Sequence, residues 1–191
     1  MKIMFVAPKS ISRHKYHQAP FRFDYAFWNF FLPLTSLGHS VHFFDTSEFG
    51  NVEFKKDFEK FKPELLFCVM TGDKTVCPDE PWESIIQITN KGICKTFNWF
   101  CDDSWRFNNF SSQVCKNFHF CSTTDEDSVL KFKEIGFSNI LYTNWHSNPD
   151  VYSNTFCQKR NLLGFIGGLN QDRSKFISCL NSNNFDVVSF N

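Results

Sequence analysis

Short apolar runs alternate with helix-like stretches along the first 147 residues, and this alternation constrains the fold more than any other feature. Such alternation is typical of a parallel sheet with helices on both faces. We predict six strands, at residues 2–7, 40–45, 64–70, 94–101, 119–123 and 139–143. Helices are predicted between them, at residues 24–37, 52–60, 82–90, 105–114 and 125–135. The fold class is therefore α/β with a Rossmann-like parallel sheet, and right-handed crossovers with short connections predict the strand order 3-2-1-4-5-6.

The same pattern begins again near the end of the chain. A strand, a glycine turn, a helix and a second strand are predicted at Leu162 to Ile166, Gly167 and Gly168, Asp172 to Leu180, and Phe185 to Phe190. A nucleotide-binding α/β domain opens in this way. We therefore predict a first lobe at residues 1–147, a linker at 148–161 and the truncated start of a second lobe at 162–191. Because so short a segment cannot bury a core of its own, we expect its apolar residues to stay exposed or to dock elsewhere, which would make the chain prone to association.

Composition excludes several classes of partner. Lys plus Arg equals Asp plus Glu at 20 each, which argues against nucleic acid or an anionic membrane. No run approaches the roughly 20 apolar residues of a membrane helix, so no membrane span is expected. The eight cysteines form no C-x-x-C pair, and several lie in strand-like runs, where cysteine behaves as a small apolar residue. A reduced, cytoplasmic location is expected.

A long polar loop follows the first predicted strand, at Pro8 to Pro20. It contains no glycine, so it cannot form the G-x-G-x-x-G turn of a dinucleotide-binding domain. Lys9 and Ser10 make it either a substrate-facing loop or a solvated basic loop. His14 and His17 could share a metal ion, but no third ligand is evident, so no metal site is predicted.

The densest polar cluster follows the fourth predicted strand, where Asp102 and Asp103 are flanked by Trp105 and Arg106. In open parallel sheets ligands gather at the carboxyl ends of the strands. Two adjacent carboxylates there could orient an acceptor hydroxyl or remove its proton. The alternative is that Asp103 or Ser104 caps the following helix.

Other strand ends carry weaker candidates. Thr71 and Gly72 offer donors to a ligand or form a plain turn. Asp125-Glu126-Asp127 has the D-x-D form of a metal site, but its place at a helix start favours capping. Trp145, near Asn148 at the predicted lobe boundary, is either a packing residue of a hinge or a stacking surface for sugar.

The glycine turn of the second lobe is a candidate phosphate site. Gly167 and Gly168 would let backbone amides approach a phosphate, and Arg173 in the first turn of the following helix would add positive potential. A double glycine is a weak signal by itself. The predicted strand before the double glycine and the predicted helix after it strengthen the case for a phosphate site.

Taken in order, these segments resemble the CgeB-like (spore maturation protein) group of GT-B glycosyltransferases. The segments that carry the resemblance are Leu37 to Asp45, Asn98 to Asp103, Ser122 to Asp125, Trp145 to Asn148, and Gly164 to Gly168 with Arg173. The similarity covers nearly the whole chain, and the Asp-Asp segment is its most particular motif.

The resemblance implies two facing Rossmann-like lobes, with the acceptor held by the first lobe and a nucleotide-sugar co-substrate by the second. No cofactor and no essential metal are implied. Asp102 or Asp103 would contact or activate the acceptor, and the glycine turn with Arg173 would approach the donor diphosphate. The substrate-binding candidates are Lys9, Ser10, Thr71, Gly72, Trp105, Trp145 and Asn148.

The implied function is transfer of a sugar to a hydroxyl of a glycan or protein acceptor. The acidic residues that hold the donor ribose and sugar in such enzymes would lie in the later part of the donor lobe, which this sequence does not contain. Catalysis is therefore expected to need that lobe, for example from a second chain. The alternative is a non-catalytic Rossmann-like module that binds a nucleotide or a protein.

Overall fold

The structure is a computed structural model that describes residues 1–10, 24–152, 163–166, 171–183 and 187–190. The chain divides into two compact units, Met1–Tyr152 and Ser153–Asn191. The division falls within the segment predicted as a linker. Along the described residues, no helix has the length and apolar character needed to cross a lipid bilayer.

The first unit is built on a six-stranded sheet in which every neighbouring pair is parallel. This confirms the predicted α/β, Rossmann-like fold class. The strands are β1 (Lys2–Ala7), β2 (Ser40–Asp45), β3 (Leu65–Cys68), β4 (Lys95–Phe100), β5 (Phe120–Thr123) and β6 (Ile140–Tyr142). Their order is β2-β1-β3-β4-β5-β6, so the predicted order 3-2-1-4-5-6 is wrong. β3 lies beside β1, on the side away from β2.

Helices surround this sheet. The first helical segment begins as a π-helix (Phe27–Phe31) and continues as α1 (Leu32–Ser36). The others are α2 (Asn51–Phe61), α3 (Trp82–Lys91), α4 (Asp103–Arg106), a second π-helix (Phe107–Ser111), α5 (Ser112–Val114), a 3₁₀ turn (Cys115–Asn117) and α6 (Glu126–Glu134). The glycines at the ends of α3 and of the predicted fifth helix, Gly92 and Gly136, have positive φ, as expected of residues that end helices.

The strand order follows from the faces on which the first two helices lie. α2 packs through Phe54 on one face, whereas the first helical segment packs through Ala26 and Phe30 on the other. A right-handed crossover that changes face must also change direction along the sheet. The chain therefore moves from β1 to β2 in one direction and returns past β1 to β3.

The two faces of the sheet are covered unequally. The multi-helix face, which bears Leu66 and Cys68, packs against α2, α3, α5 and α6. The single-helix face carries a row of phenylalanines in register across five strands, namely Phe43, Phe5, Phe67, Phe97 and Phe120. Among the described helices, only the first helical segment packs on that face. Its cover reaches Phe67 and Trp99, and Phe120 is 42% exposed.

The second unit contains two parallel strands, β7 (Leu163–Ile166) and β8 (Val187–Phe190), joined by α7 (Gln171–Ser182). The predicted strand-helix-strand succession therefore forms. Phe176 of α7 is 65% exposed.

Candidate active site at the carboxyl ends of β3 and β4

The carboxyl ends of β3 and β4 enclose a cavity of about 30 Å³. Polar and aromatic side chains meet there, and the lining includes Thr71, Trp99, Cys101, Asp102, Arg106, Phe110 and Ser111. The cavity has room for a water molecule or a ligand hydroxyl. The carboxyl edge of the sheet, where ligands were expected, thus holds a polar recess.

Asp102 lies at this cavity and is half-buried. Its backbone carbonyl accepts the N–H groups of Trp105 and Arg106 and so begins α4, but its side chain makes no capping hydrogen bond. The Cys101 thiol donates to its Oδ2 at 3.6 Å. Burial, followed by the negative charge of Asp102, raises the pKa of Cys101 to about 12, so the thiol keeps the proton that it donates.

Asp103 is 1% exposed and does not line the cavity. Neither carboxylate oxygen makes a hydrogen bond of ordinary geometry to a described residue. Burial raises the pKa of Asp103, and the nearby hydroxyls of Ser111 and Thr123 offset part of that rise. The two adjacent residues therefore differ in their surroundings: Asp102 lies at the cavity, whereas the side chain of Asp103 is enclosed within the protein.

The enclosed carboxyl group of Asp103 predicts a pH-dependent stability. Because the pKa is raised in the folded state, the folded protein retains the Asp103 proton to higher pH than the unfolded chain does. Stability is therefore lost as pH rises from the unfolded pKa through the folded one. Asp103→Asn removes this ionisation, so its stability relative to wild type should increase from pH 4 to pH 7. Urea unfolding of both proteins across that range measures the difference.

Other buried acids contribute equally to both proteins, so they cancel in the difference between the two free energies of unfolding. The main one is Glu80, whose pKa is also raised by burial. A difference that stays constant with pH, or that decreases as pH rises, would contradict the assignment.

Thr71 and Gly72 are held by Glu80, a residue that the sequence analysis missed. The Glu80 carboxylate accepts the N–H groups of Thr71 at 2.7 Å and of Gly72 at 2.9 Å. It also accepts the Thr71 hydroxyl and the Trp82 indole N–H. The donors that the sequence suggested for a ligand are therefore engaged by this carboxylate. No local motif marks Glu80, because its partners are set by the path of the loop.

Arg106 joins the two strand ends. Its guanidinium donates to the Thr71 carbonyl and lies 4.4 Å from the centre of the Phe110 ring. Gly72 has φ +64°, and a Cβ there would lie 2.4 Å from Phe110. Glycine is therefore required both by the backbone conformation and by the closeness of the ring. These contacts place the Arg106 charge beside the cavity that Asp102 lines.

The remaining predicted residues of the first unit differ in their surroundings. Lys9 donates its N–H to Asp45 at 3.0 Å, and its ammonium lies 5.8 Å from the Phe43 ring centre. Ser10 is buried. Trp105 is 68% exposed beside the cavity-lining Arg106. His14 and His17 lie outside the described residues.

Asn148 belongs to a group of hydrogen bonds, here called the clasp, that joins His146 and Asn148 to Trp28 and Asn29. Its N–H donates to Asn29 Oδ1 at 2.8 Å and its side-chain amide to the Trp28 carbonyl at 3.0 Å. His146 Nε2 lies 2.9 Å from the Asn29 carbonyl oxygen. In an α-helix that oxygen would accept from residue 33, but Pro33 has no N–H. His146 thus replaces the missing donor, and the amide of Asn148 is engaged in holding the chain together.

Trp145 lies beside this clasp and covers the end of β4. Its ring meets those of Tyr25 and Trp99 edge to face, each with centroids 5.0 Å apart, yet 53% of Trp145 is exposed. The residue therefore packs on the sheet and also presents an aromatic surface.

The D-x-D segment lies at a helix start, but its N-cap residue, Asp125, makes no side-chain capping hydrogen bond. Asp125 is the residue before α6 and accepts the Ser128 hydroxyl. Thr124 donates instead to the Cys101 carbonyl at 2.7 Å. Within the described ranges, no group of three His, Cys, Asp or Glu side chains has the arrangement of a metal site.

In the second unit, Arg173 lies on α7, whereas Gly167 and Gly168 fall outside the described residues. No protein-family model, no curated protein and no solved structure matches the chain. The function must therefore be inferred from the fold and from the geometry of the β3–β4 edge.

Proposed function

We propose that the first unit is the acceptor-side lobe of a GT-B type glycosyltransferase, which transfers a sugar from a nucleotide-sugar to an acceptor hydroxyl. The observation that carries the proposal is the placement of Asp102. Asp102 lies at the carboxyl end of a central parallel strand and lines a cavity, and its side chain caps no helix. The resemblance to CgeB-like enzymes supports the same residue as the one that serves the acceptor.

In this reaction Asp102 acts as the general base. The acceptor oxygen forms a bond to the anomeric carbon of the donor sugar, and its proton passes to the Asp102 carboxylate. The bond from the anomeric carbon to the diphosphate breaks, and the nucleoside diphosphate leaves with the bonding electrons. Arg106 lines the same cavity, and the exposed Trp105 offers an apolar surface for a sugar ring.

The second unit supports the proposal through its strand-helix-strand succession, the opening of a nucleotide-binding domain. Arg173 would approach the donor diphosphate from the first turn of α7. Gly167 and Gly168 keep the roles that the resemblance implies. The co-substrate is a nucleotide-sugar, and no step requires a metal ion or another cofactor.

Sugar transfer by the purified chain, alone or together with a second chain that supplies the donor lobe, tests the proposal. The chain is incubated with radiolabelled UDP- and GDP-sugars and a panel of alkyl glycosides, and the labelled product is separated from the donor. Labelled glycoside formed in proportion to chain concentration supports the proposal. If donor and acceptor each bind saturably but no product forms, the transferase assignment is overturned.

The second candidate function is a non-catalytic binding module. It is favoured by the apolar, incompletely covered half of the single-helix face, where Phe120 and Leu141 are exposed. This candidate predicts saturable binding of a nucleotide or a protein without turnover.

A further inference from the structure

The half of the single-helix face that no described helix covers forms a groove of about 480 Å³. Apolar side chains dominate its lining, which consists of Met1, Leu65, Phe67, Phe97, Phe120 and Leu141 together with Glu64 and Lys95. This volume lies within the range of about 300–1,000 Å³ that is typical of small-molecule sites. One acidic and one basic side chain line the groove, so the lining side chains carry no net charge, which suits an uncharged occupant.

Polar atoms follow the apolar groove toward the carboxyl ends of the strands. Trp99 and Ser122 lie two residues beyond Phe97 and Phe120 on the same face, and each pair is in register across β4 and β5. Two residues along a strand span about 6.5 Å. On β4 and β5 the face therefore changes from apolar to polar within one side-chain row, while Leu141 of β6, in register with Ser122, stays apolar.

Three of these polar atoms have unused hydrogen-bonding capacity. Trp99 Nε1, Ser122 Oγ and Thr143 Oγ1 are buried and make no hydrogen bond in the described part of the chain. Ser122 is 0% exposed and Trp99 4%. Few buried polar groups of a native protein lack a partner, yet three occur together here on neighbouring strands. An indole N–H and two hydroxyls can bind the hydroxyl groups of a ligand.

Trp145 contacts the polar row at Trp99. It packs edge to face on Trp99 and is half exposed. Because Trp99 Nε1, Ser122 Oγ and Thr143 Oγ1 are buried, the side chains over them must move before a ligand can reach these atoms. Cys101 follows Trp99 on the same face, and Asp102 comes next at the cavity. The strands therefore run from the groove toward the end of the sheet at which Asp102 lies.

From this change from apolar to polar side chains along the face, we infer that the glycosyl acceptor is an uncharged amphiphile, an alcohol or glycoside with an apolar body. The body occupies the groove over Phe97, Phe120 and Leu141, and the hydroxylated end bonds to Ser122 and Thr143. Naming this ligand the acceptor rests on the proposed function, whereas the binding site itself does not.

Binding of n-octyl β-glucoside below its micelle concentration, followed by calorimetry, tests the site without any donor. Saturable binding is expected for octyl glucoside, much weaker binding for octanoate because of its charge, and none for glucose at the same concentrations because it lacks an apolar body. Phe120→Ala should weaken binding by about tenfold, and Ser122→Ala and Thr143→Val by about threefold each.

The matched control is Leu130→Ala, which removes an apolar side chain that is 65% exposed on α6, outside the groove; binding should be unchanged. Non-specific adsorption of a detergent would not depend on the hydroxyl groups of Ser122 and Thr143. Unchanged affinity in both Ser122→Ala and Thr143→Val therefore overturns the inference. Tight binding of glucose alone overturns it as well.

Transfer assays separate this inference from the proposed function. Octyl glucoside binding that depends on Phe120 and Ser122, without sugar transfer when the donor lobe is supplied and the donor binds, supports the groove and removes the transferase assignment. Transfer to acceptors that lack an apolar body, at a rate unaffected by Phe120→Ala, supports the transferase and overturns the groove as its acceptor site.

Discussion

Replacement of Phe5 by Ala should lower the free energy of unfolding by about 3–5 kcal/mol, the range found when a buried Phe is truncated. Phe5 is 0% exposed and lies on β1, which is paired on both sides. Its ring contacts those of Phe43 and Phe67 at centroid distances of 5.3 and 5.4 Å. Neighbours on rigid strands cannot collapse into the space, so the cavity penalty adds to the lost burial.

Urea unfolding followed by circular dichroism measures this loss. Phe49→Ala is the matched control, because it removes the same side chain where 51% of it is exposed; a loss of about 1 kcal/mol or less is expected there. Equal losses in the two variants would show that the phenylalanine row does not form the centre of the fold.

The elements of the first unit could be predicted because each has a local signal. A strand of a parallel sheet is buried on both faces and reads as a continuous apolar run, as Lys2–Ala7 does, with five of its six residues buried. Glycine ended the helices where a left-handed residue was needed, as at Gly136 with φ +79°. Burial is reflected in the residue types of a single segment, so the strands of the first unit could be predicted, and the structure confirms them.

The strand order could not be predicted in the same way. Right-handed crossovers allow β3 to lie either outside β2 or on the far side of β1. The choice depends on which face α2 covers, and its apolar stripe fits either face equally well. In the structure Phe54 packs against Phe44, with ring centroids 5.2 Å apart, on the face opposite the first helical segment. Only the packing of the whole sheet decides this point.

The candidate site was predicted in part for a related reason. The carboxyl end of β4 could be identified from the sequence, but Asp102 and Asp103 could not be distinguished there, because adjacent residues at a helix start point in different directions. The Asn29–Asn148 contact joins residues 119 apart, and Glu80 binds a loop whose path no motif specifies. Such contacts depend on the assembled fold.

Asp102→Asn should reduce the rate of sugar transfer about 100-fold or more, since a general base contributes roughly 10²–10⁴ to a rate. The amide keeps the size of the carboxylate and its place at the cavity, but it cannot accept the acceptor proton. Binding of the acceptor should change much less than the rate, because the base acts mainly in the transition state. Initial rates with saturating donor and acceptor measure the effect.

Asp103→Asn provides a sharp control, since it makes the same chemical change one residue further along the chain. Asp103 is 1% exposed and faces Ser111 and Thr123 inside the protein, so an acceptor cannot reach it and the rate should remain near that of wild type. The two variants thus differ: Asp102→Asn lowers the rate, whereas Asp103→Asn leaves the rate near that of wild type and shows the pH-dependent gain in stability. An equal loss of rate in both variants would mean that the Asp102–Asp103 segment affects the rate by maintaining the local structure, and that Asp102 is not the base.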